Sequence, residues 1–466
     1  MLAHIPFPAL PAPPTWFPGH MHAFQRSLPS LLARTDVVLE LRDARLPLTS
    51  INRNFEGALQ KWSLRRGHTP TPPAFDLSIA NAASTNTAGT SSSATTFGPN
   101  GTSGGRICER VVVFNKRDLV PEWGIEPFRR AMAAKYPDQR VFFASWHRSP
   151  DIRALSELLV DIAKANPVVP ELNVLVVGMP NVGKSTLLNA LRKAGIAGPT
   201  AKALRTSSQP GMTRVLSNRL KLSQDPLVYS YDSPGVMLPF LGNGQPGAER
   251  GVKLALIAGI KEGLYDPETL AAYLLYRLNI LDPVSPAYLR ILPPSSQPQA
   301  DVHSFLGLLA ARLCMLKKGG VPDETRAALW FIKWWREEGG LLAASAPALP
   351  AYAADRSLQT NLSTDGTHDD ALALPSGPSQ LRTYRRGWGF DFEWDVDVAE
   401  AVANRYDAAA IQRKMEECIE NFEEAALEEE RAGGGLSRAQ GKKREKDESK
   451  AKRVAKMKAK LANRAR

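Results

Sequence analysis

Short β-branched runs alternate with stretches of helical periodicity through the first half of the chain. Val37 to Leu41, Val111 to Phe114, Val141 to Phe143, Leu172 to Val177 and Leu227 to Tyr231 are the strand candidates. Between them Glu126 to Lys135, Ile152 to Ala163 and Lys184 to Arg192 carry helical patterns. Apolar runs separated by helix-length connections predict an α/β fold with a mostly parallel sheet covered on both faces. From Gly247 on the strands stop, and Gly251 to Glu262, Pro267 to Leu278, Ser304 to Leu316 and Glu324 to Glu338 read as helices. An α/β domain over residues 1–246 and a mainly helical domain over 247–415 are therefore expected. The segments at about 66–105 and 343–382 are dominated by small and polar residues, and each is expected to be a disordered insertion. Gly387-Trp-Gly389 with Phe390, Phe392 and Trp394 predicts a turn and an aromatic strand closing the second domain. Trp330, Phe331, Trp334 and Trp335 share one helix, where helical core is favoured over an RNA-stacking platform.

Charge adds a third segment. The 466 residues carry a net +12, but Leu436 to Arg466 alone holds 13 Lys/Arg against 3 Asp/Glu, leaving 46 against 44 elsewhere. Just before it, Glu416 to Glu430 carries eight glutamates with Ile419, Phe422, Ala426 and Leu427 near helical spacing. Residues 416–466 thus read as an acidic amphipathic helix followed by a basic arm able to bind RNA phosphates without reading sequence. The three cysteines are far apart and form no metal or disulfide pattern, which suits a reducing compartment. No apolar run approaches the roughly 18 residues of a membrane span, so any membrane contact is expected to be peripheral.

The chemistry is concentrated in short motifs. Gly178-Met-Pro-Asn-Val-Gly183-Lys184-Ser185-Thr186 follows an apolar strand and opens a helix. In such a loop backbone N–H groups converge on a β-phosphate, the lysine reaches β/γ oxygens and the serine ligates Mg²⁺. Asn181, Val182, Gly183, Lys184, Ser185 and Thr186 are therefore candidate nucleotide ligands. Asn115-Lys116-Arg117-Asp118 ends another strand, where Asp118 can accept from the N1–H and 2-amino donors of guanine, a pair adenine lacks. Lys116 would lay its stem over the base, and Ser145, past the next strand, joins this set. Asp232-Ser-Pro-Gly235 supplies a carboxylate for Mg²⁺ through water and a glycine N–H for the γ-phosphate. Thr213 is the candidate switch threonine on Mg²⁺, with a plain turn threonine as the alternative.

The guanine motif precedes the phosphate loop by some sixty residues, the reverse of the Ras-like order, so the domain is circularly permuted. The chain after Asp232 to Gly235 then runs straight into the helical domain, which should couple that domain to nucleotide state.

With Trp16-Phe-Pro-Gly-His20-Met21, the segment Asp36 to Asn52 containing Asp43-Ala-Arg-Leu-Pro, the permuted motifs and Lys318-Gly-Gly-Val-Pro-Asp323, the sequence resembles the circularly permuted GTPases of the YlqF/RbgA type. The resemblance implies GTP hydrolysis to GDP and phosphate, and assistance to maturation of a large ribosomal subunit with rRNA contact through the helical domain. It also implies His20 as the residue orienting water, because Val236 stands where Ras-like enzymes place glutamine, and Asn181 as a K⁺ ligand. A turn cap at His20 and a loop-shaping role for Asn181 are the alternatives. A monomer without DNA binding is expected. The mitochondrial branch of the family suggests the matrix or the face of the inner membrane. No charge occurs in the first 25 residues and six prolines lie between Pro6 and Pro18, so an Arg-rich presequence is not seen. A nucleolar or cytosolic GTPase and a non-hydrolysing RNA scaffold remain the competing readings.

Overall fold

β1 (Val37–Asp43) is buried at all seven positions and lies at the centre of a six-stranded sheet. The computed structural model describes residues 5–14, 16–67, 107–198, 203–204, 216–217, 219–282, 285–338, 383–397 and 407–431. Both segments read as insertions lie outside the described residues apart from Arg66 and Gly67, and so does the basic arm.

The other strands are β2 (Glu109–Asn115), β3 (Arg140–Ala144), β4 (Leu172–Gly178), β5 (Leu220–Ser223) and β6 (Val228–Asp232). Their spatial order is β3-β2-β1-β4-β6-β5, all parallel except the edge strand β5. The parallel crossovers run through α2 (Arg53–Arg65), α3 (Ile125–Lys135), α4 (Ser149–Lys164) and α5 (Lys184–Gly195), while α1 (Gly19–Ala33) precedes β1. The expected α/β class and permuted Ras-like topology are both present: the phosphate-loop strand β4 sits centrally and pairs with β1 (Val37↔Val174 to Leu41↔Gly178). β5 went unpredicted because four residues, Leu220-Lys-Leu-Ser223, carry too little alternation to mark a strand.

The remaining helices are α6 (Gly244–Leu256), α7 (Pro267–Leu281), α8 (Val302–Arg312), α9 (Glu324–Glu338) and α10 (Ala408–Arg431). α6 starts seven residues before the expected Gly251, since Pro246 is tolerated in a first turn. It ends early because Ala258, at φ 56°, turns the chain and the Gly259 N–H closes on the Leu254 carbonyl at 2.8 Å. Asp266 and Asp301 cap α7 and α8, accepting from the amides of Thr269 (3.2 Å) and Ser304 (2.7 Å). Phe331 and Trp335 of α9 are fully buried, Trp334 nearly so and Trp330 half-buried, which makes the aromatic helix core.

Two C-terminal elements reach back to the sheet. The expected aromatic strand is a hairpin of β7 (Thr383–Trp388) and β8 (Phe392–Asp397), but it closes more than the helical part. Trp388 stacks on Phe128 of α3 and donates from Nε1 to the Pro121 carbonyl at 2.9 Å. The acidic helix α10 lies along α3, burying Met415 and Ile419, pairing Glu420 with Lys135 and Glu423 with Tyr136, and placing Glu429 3.2 Å from Arg250.

A charged network crosses the middle of the sheet. Glu40 and Arg42, two apart on β1, share a face; Arg42 Nε donates to Glu40 at 2.7 Å, and Arg110 bridges Glu40 and Glu56. Burial alone would push the Glu40 carboxyl up, but Arg42 and Arg110 outweigh it and hold the pKa down to about 2 from 4.5. Its contribution to stability is therefore complete above pH 4.5 and disappears as pH falls through about 2. Glu40→Gln removes the buried carboxylate shared by Arg42 and Arg110, leaving them only the more exposed Glu56, and is expected to cost roughly 3 kcal/mol near neutral pH. Urea unfolding of both proteins from pH 7 to 2 checks this: the gap should narrow below pH 4.5, and a gap independent of pH would refute the ion-pair account.

Candidate functional site

The end of β4 passes into the glycine-rich loop, where Gly183 takes a φ of 91° before α5 begins at Lys184. A Cβ at Gly183 would lie 2.5 Å from Asn115 Nδ2, so only glycine lets the phosphate loop and the NKxD segment meet. They meet through a hydrogen bond: Asn115 Nδ2 donates to the Val182 carbonyl at 2.7 Å. The two motifs, some sixty residues apart in sequence, form one continuous wall.

That wall faces a cleft of about 740 Å³. Asn115 and Lys116 line one end; Asn181, Gly183, Lys184, Ser185 and Thr186 line the other, with Gly235 beside them. Ile257, Ile332 and Arg336 from the helical part complete the opposite side.

At the first end, Lys116 sits in the left-handed region (φ 63°) and opens the short turn Arg117–Leu119 that carries Asp118. Its Nζ donates to the buried Asp43 at 2.8 Å. Burial lowers the Lys116 pKa while Asp43 opposes that shift. Burial raises the Asp43 pKa, but Arg45 and Lys116 overcome it and hold the carboxyl well below its usual range. Ser145 is fully buried; its Oγ accepts from the His147 amide at 3.2 Å and its own amide donates to Asp151 at 3.1 Å. Asp151 also pairs with Arg117 at 3.2 Å, which ties the loop after β3 to the Asp118 turn. Trp146 stands 49% exposed at the rim, a cleft residue that a lone aromatic in the sequence did not signal.

At the second end, Lys184 is buried and its Nζ donates to the carbonyls of Met179 (2.8 Å) and Gly178 (3.2 Å). Burial brings its pKa down to about 8, with Asp232 opposing. Ser185 Oγ donates to Asp232 Oδ2 at 2.5 Å. Asp232 is itself raised by burial, against the pull of Lys184 and Ser185. Asn181, at φ 58°, donates from Nδ2 to the Ala258 carbonyl at 2.7 Å, linking the phosphate loop to the helical part. His20 lies in the first turn of α1, outside the cleft lining; its neighbour Met21 accepts the Met237 amide at its sulfur (3.5 Å), which sets the start of α1 beside the segment following Gly235. Thr213 lies outside the described residues.

Asn115 Oδ1, Asp118 Oδ1 and Asp232 Oδ1 are buried without a hydrogen-bond partner among the described residues. Orphaned acceptors of this kind are costly. Those of Asn115 and Asp118 suit a ligand presenting N–H donors, and the Asp232 oxygen beside the Ser185 hydroxyl suits a hard, oxygen-preferring cation such as Mg²⁺. The donor set therefore fits a guanine nucleotide with its metal.

Comparison with known proteins follows the same line. The family model described as "50S ribosome-binding GTPase" matches residues 173–265. The chain is 30% identical over 342 residues to Mitochondrial GTPase 1 of Schizosaccharomyces japonicus, covering 69% of this chain and 87% of that protein. It is 32% identical over 325 residues to Mitochondrial GTPase 1 of Schizosaccharomyces pombe, covering 70% and 87%. A solved structure of YlqF from T. maritima aligns at 20% identity and a TM-score of 0.35, over 68% of this chain and 94% of that one.

Proposed function

Because the chain belongs to the mitochondrial GTPase 1 family, we propose that it uses GTP hydrolysis as a conformational timer on the large subunit of the mitochondrial ribosome. The observation that carries this is the Asn115 to Val182 hydrogen bond of 2.7 Å, which joins a base-reading segment and a phosphate loop in one cleft. Asp118 accepts from guanine N1–H and the 2-amino group, Asn115 braces the loop, and Lys116 covers the base, with Ser145 supporting that end. The amides from Asn181 to Thr186 cradle the β-phosphate. Lys184 exchanges two neutral carbonyl partners for anionic phosphate oxygens, which favours its charged form. Ser185, Thr213 and, through water, Asp232 would hold Mg²⁺, whose charge offsets that developing between the β- and γ-phosphates. Asn181 is the proposed K⁺ ligand, and the Gly235 amide meets the γ-phosphate.

Val236 is fully buried and has no side-chain donor, so another residue must orient the attacking water. His20, in the turn of α1 that abuts Met237, takes that part. The helical domain and the basic arm contact rRNA, and the protein works as a monomer in the mitochondrial matrix with at most peripheral contact to the inner membrane. Among the described residues no helix is long and apolar enough to cross a membrane.

The test is multiple-turnover phosphate release with and without mitochondrial large subunits, together with sedimentation of the protein with those subunits. Subunits should stimulate release, and GTP-state protein should co-sediment. His20→Ala should lower the stimulated turnover by about 10²-fold with little change in GTP affinity, and Na⁺ should support a slower rate than K⁺. No co-sedimentation in any nucleotide state would overturn the ribosomal role; normal turnover of the His20 variant would remove His20 from the mechanism.

A further inference from the structure

The loop joining β1 to α2 lies between the base end of the cleft and the C-terminal elements. On the cleft side, the Ala44 amide donates to the Asn115 carbonyl at 2.9 Å and Asp43 receives Lys116 Nζ at 2.8 Å. Asp43 is fully buried and carries a second cation: Arg45 grips it through Nε (2.9 Å) and Nη2 (2.8 Å). A planar fork of this kind fixes a carboxylate in orientation as well as position.

Arg45 also lines the cleft, and its third guanidinium nitrogen, Nη1, is buried with no hydrogen-bond partner among the described residues. The guanidinium lies 4.7 Å from the ring centroid of Trp335 on α9, within the range of a cation–π contact. Trp335 in turn stacks on Phe390 at the hairpin tip, with centroids 4.9 Å apart and planes at 21°. The tip also grips the loop backbone: the Phe390 amide donates to the Arg45 carbonyl at 2.9 Å, and the Asp391 carboxylate accepts from the amides of Leu48 (2.9 Å) and Thr49 (2.7 Å) and from the Thr49 hydroxyl (2.6 Å). With its fork engaged by Asp43, its guanidinium within cation–π distance of Trp335 and its backbone carbonyl taken by the Phe390 amide, Arg45 is held by α9 and the hairpin, and Arg45 in turn holds Asp43.

We propose that Asp43 is a positioning residue for guanine recognition, holding Lys116 over the base, and that Trp335 and the β7–β8 hairpin set it through Arg45, so that nucleotide affinity reports how the C-terminal elements are seated. This rests on the reading of the cleft as a guanine-nucleotide site. The coupling is reciprocal: whatever unseats α9 and the hairpin weakens the nucleotide, and nucleotide binding holds both in place.

The test is a double-mutant cycle on the full-length protein, read as affinity for a fluorescent GDP. Asp43→Asn should weaken binding about 10- to 100-fold in the wild-type background, as expected for a charged hydrogen bond. In a Lys116→Met background the same change should cost less than about threefold, because its route to the base is already gone. Trp335→Leu should weaken GDP binding in the wild-type background and not in Lys116→Met, while Trp335→Phe, which keeps a ring over Arg45, should recover most of the loss. If Asp43→Asn does not yield folded protein, Arg45→Lys, which keeps the charge but loses the fork and the stacked plane, is read in the same cycle. Equal losses in both backgrounds, or no loss at all, overturn the proposal. Failure of the wild type to bind GDP would instead overturn the guanine reading itself, so the two failures are distinguishable.

Discussion

Asp118→Asn is expected to transfer preference from GTP to xanthosine triphosphate, with GTP affinity falling by about 10⁴-fold, the scale on which a site built around a hydrogen-bonded group rejects a mismatched one. The Asp118 carboxylate has a buried oxygen without a protein partner, carried on the turn that Lys116 opens in the left-handed region. Guanine offers it two adjacent N–H donors. Asparagine replaces one acceptor with an amide donor, which clashes electrostatically with the 2-amino group but complements the 2-oxo group of xanthine. The turn itself should persist, because it is held by backbone bonds such as Leu119 N–H to the Lys116 carbonyl at 2.9 Å. Competition of GTP and xanthosine triphosphate against labelled nucleotide measures the exchange. Unchanged GTP affinity would show that Asp118 does not read the base.

Gly235→Ala should lower turnover by about 10²-fold or more while affecting GDP affinity far less. A Cβ there would stand 2.6 Å from Pro180 Cα and 2.7 Å from Pro180 N, backbone atoms of the phosphate loop rather than the yielding end of a side chain. The segment after β6 must then move away from the loop. It is held there by the Val236 amide on the Gly178 carbonyl (3.2 Å) and by Asn52 Nδ2 on the Val236 carbonyl (2.9 Å), so the displacement also draws on these bonds. The Gly235 amide is the group expected to meet the γ-phosphate, and an error of about 1 Å at a reacting centre can cost 10²-fold. GDP lacks that phosphate. Single-turnover hydrolysis beside GDP titration checks the split, and hydrolysis within threefold of the parent would sink it.

The base and phosphate motifs were legible in the sequence because each is contiguous and bounded by a strand, so spacing alone fixes its local shape. Lys184, Ser185 and Asp118 need only that local shape to be recognised. Asp43, Arg45, Trp146 and Asp391 were not assigned a role, since each acquires one only through contacts across the fold. The Asp391 bonds to the loop at Leu48 and Thr49 span more than 340 residues of chain. Nothing in an Asp-Ala-Arg triplet says which lysine its carboxylate will meet. The same reason limited the aromatic hairpin: its alternation predicted a strand, whereas Trp388 finding Phe128 and the Pro121 carbonyl depends on where α3 lies. Helix ends differed where a backbone turn, as at Ala258, stopped a pattern that hydrophobicity alone would have continued.

The seam between β1 and β4 divides the sheet into two stretches that are each continuous in sequence, β1 to β3 within residues 37–144 and β4 to β6 within 172–232. The Asn115 and Lys116 end of the cleft belongs to the first, and the loop from Asn181 to Thr186 to the second. The peptide crossing between them runs from Ala165 to Glu171, and at its tip Val168 is 93% exposed, an open target for a protease. A molecule nicked there would no longer be covalently continuous across its own cleft. Its fragments would be joined by the β1–β4 ladder, by the C-terminal elements, and by a guanine nucleotide gripped at the base by one piece and at the phosphates by the other. For such a nicked protein the nucleotide would be a non-covalent splint, and the lifetime of the rejoined pair would rise with GDP concentration by mass action.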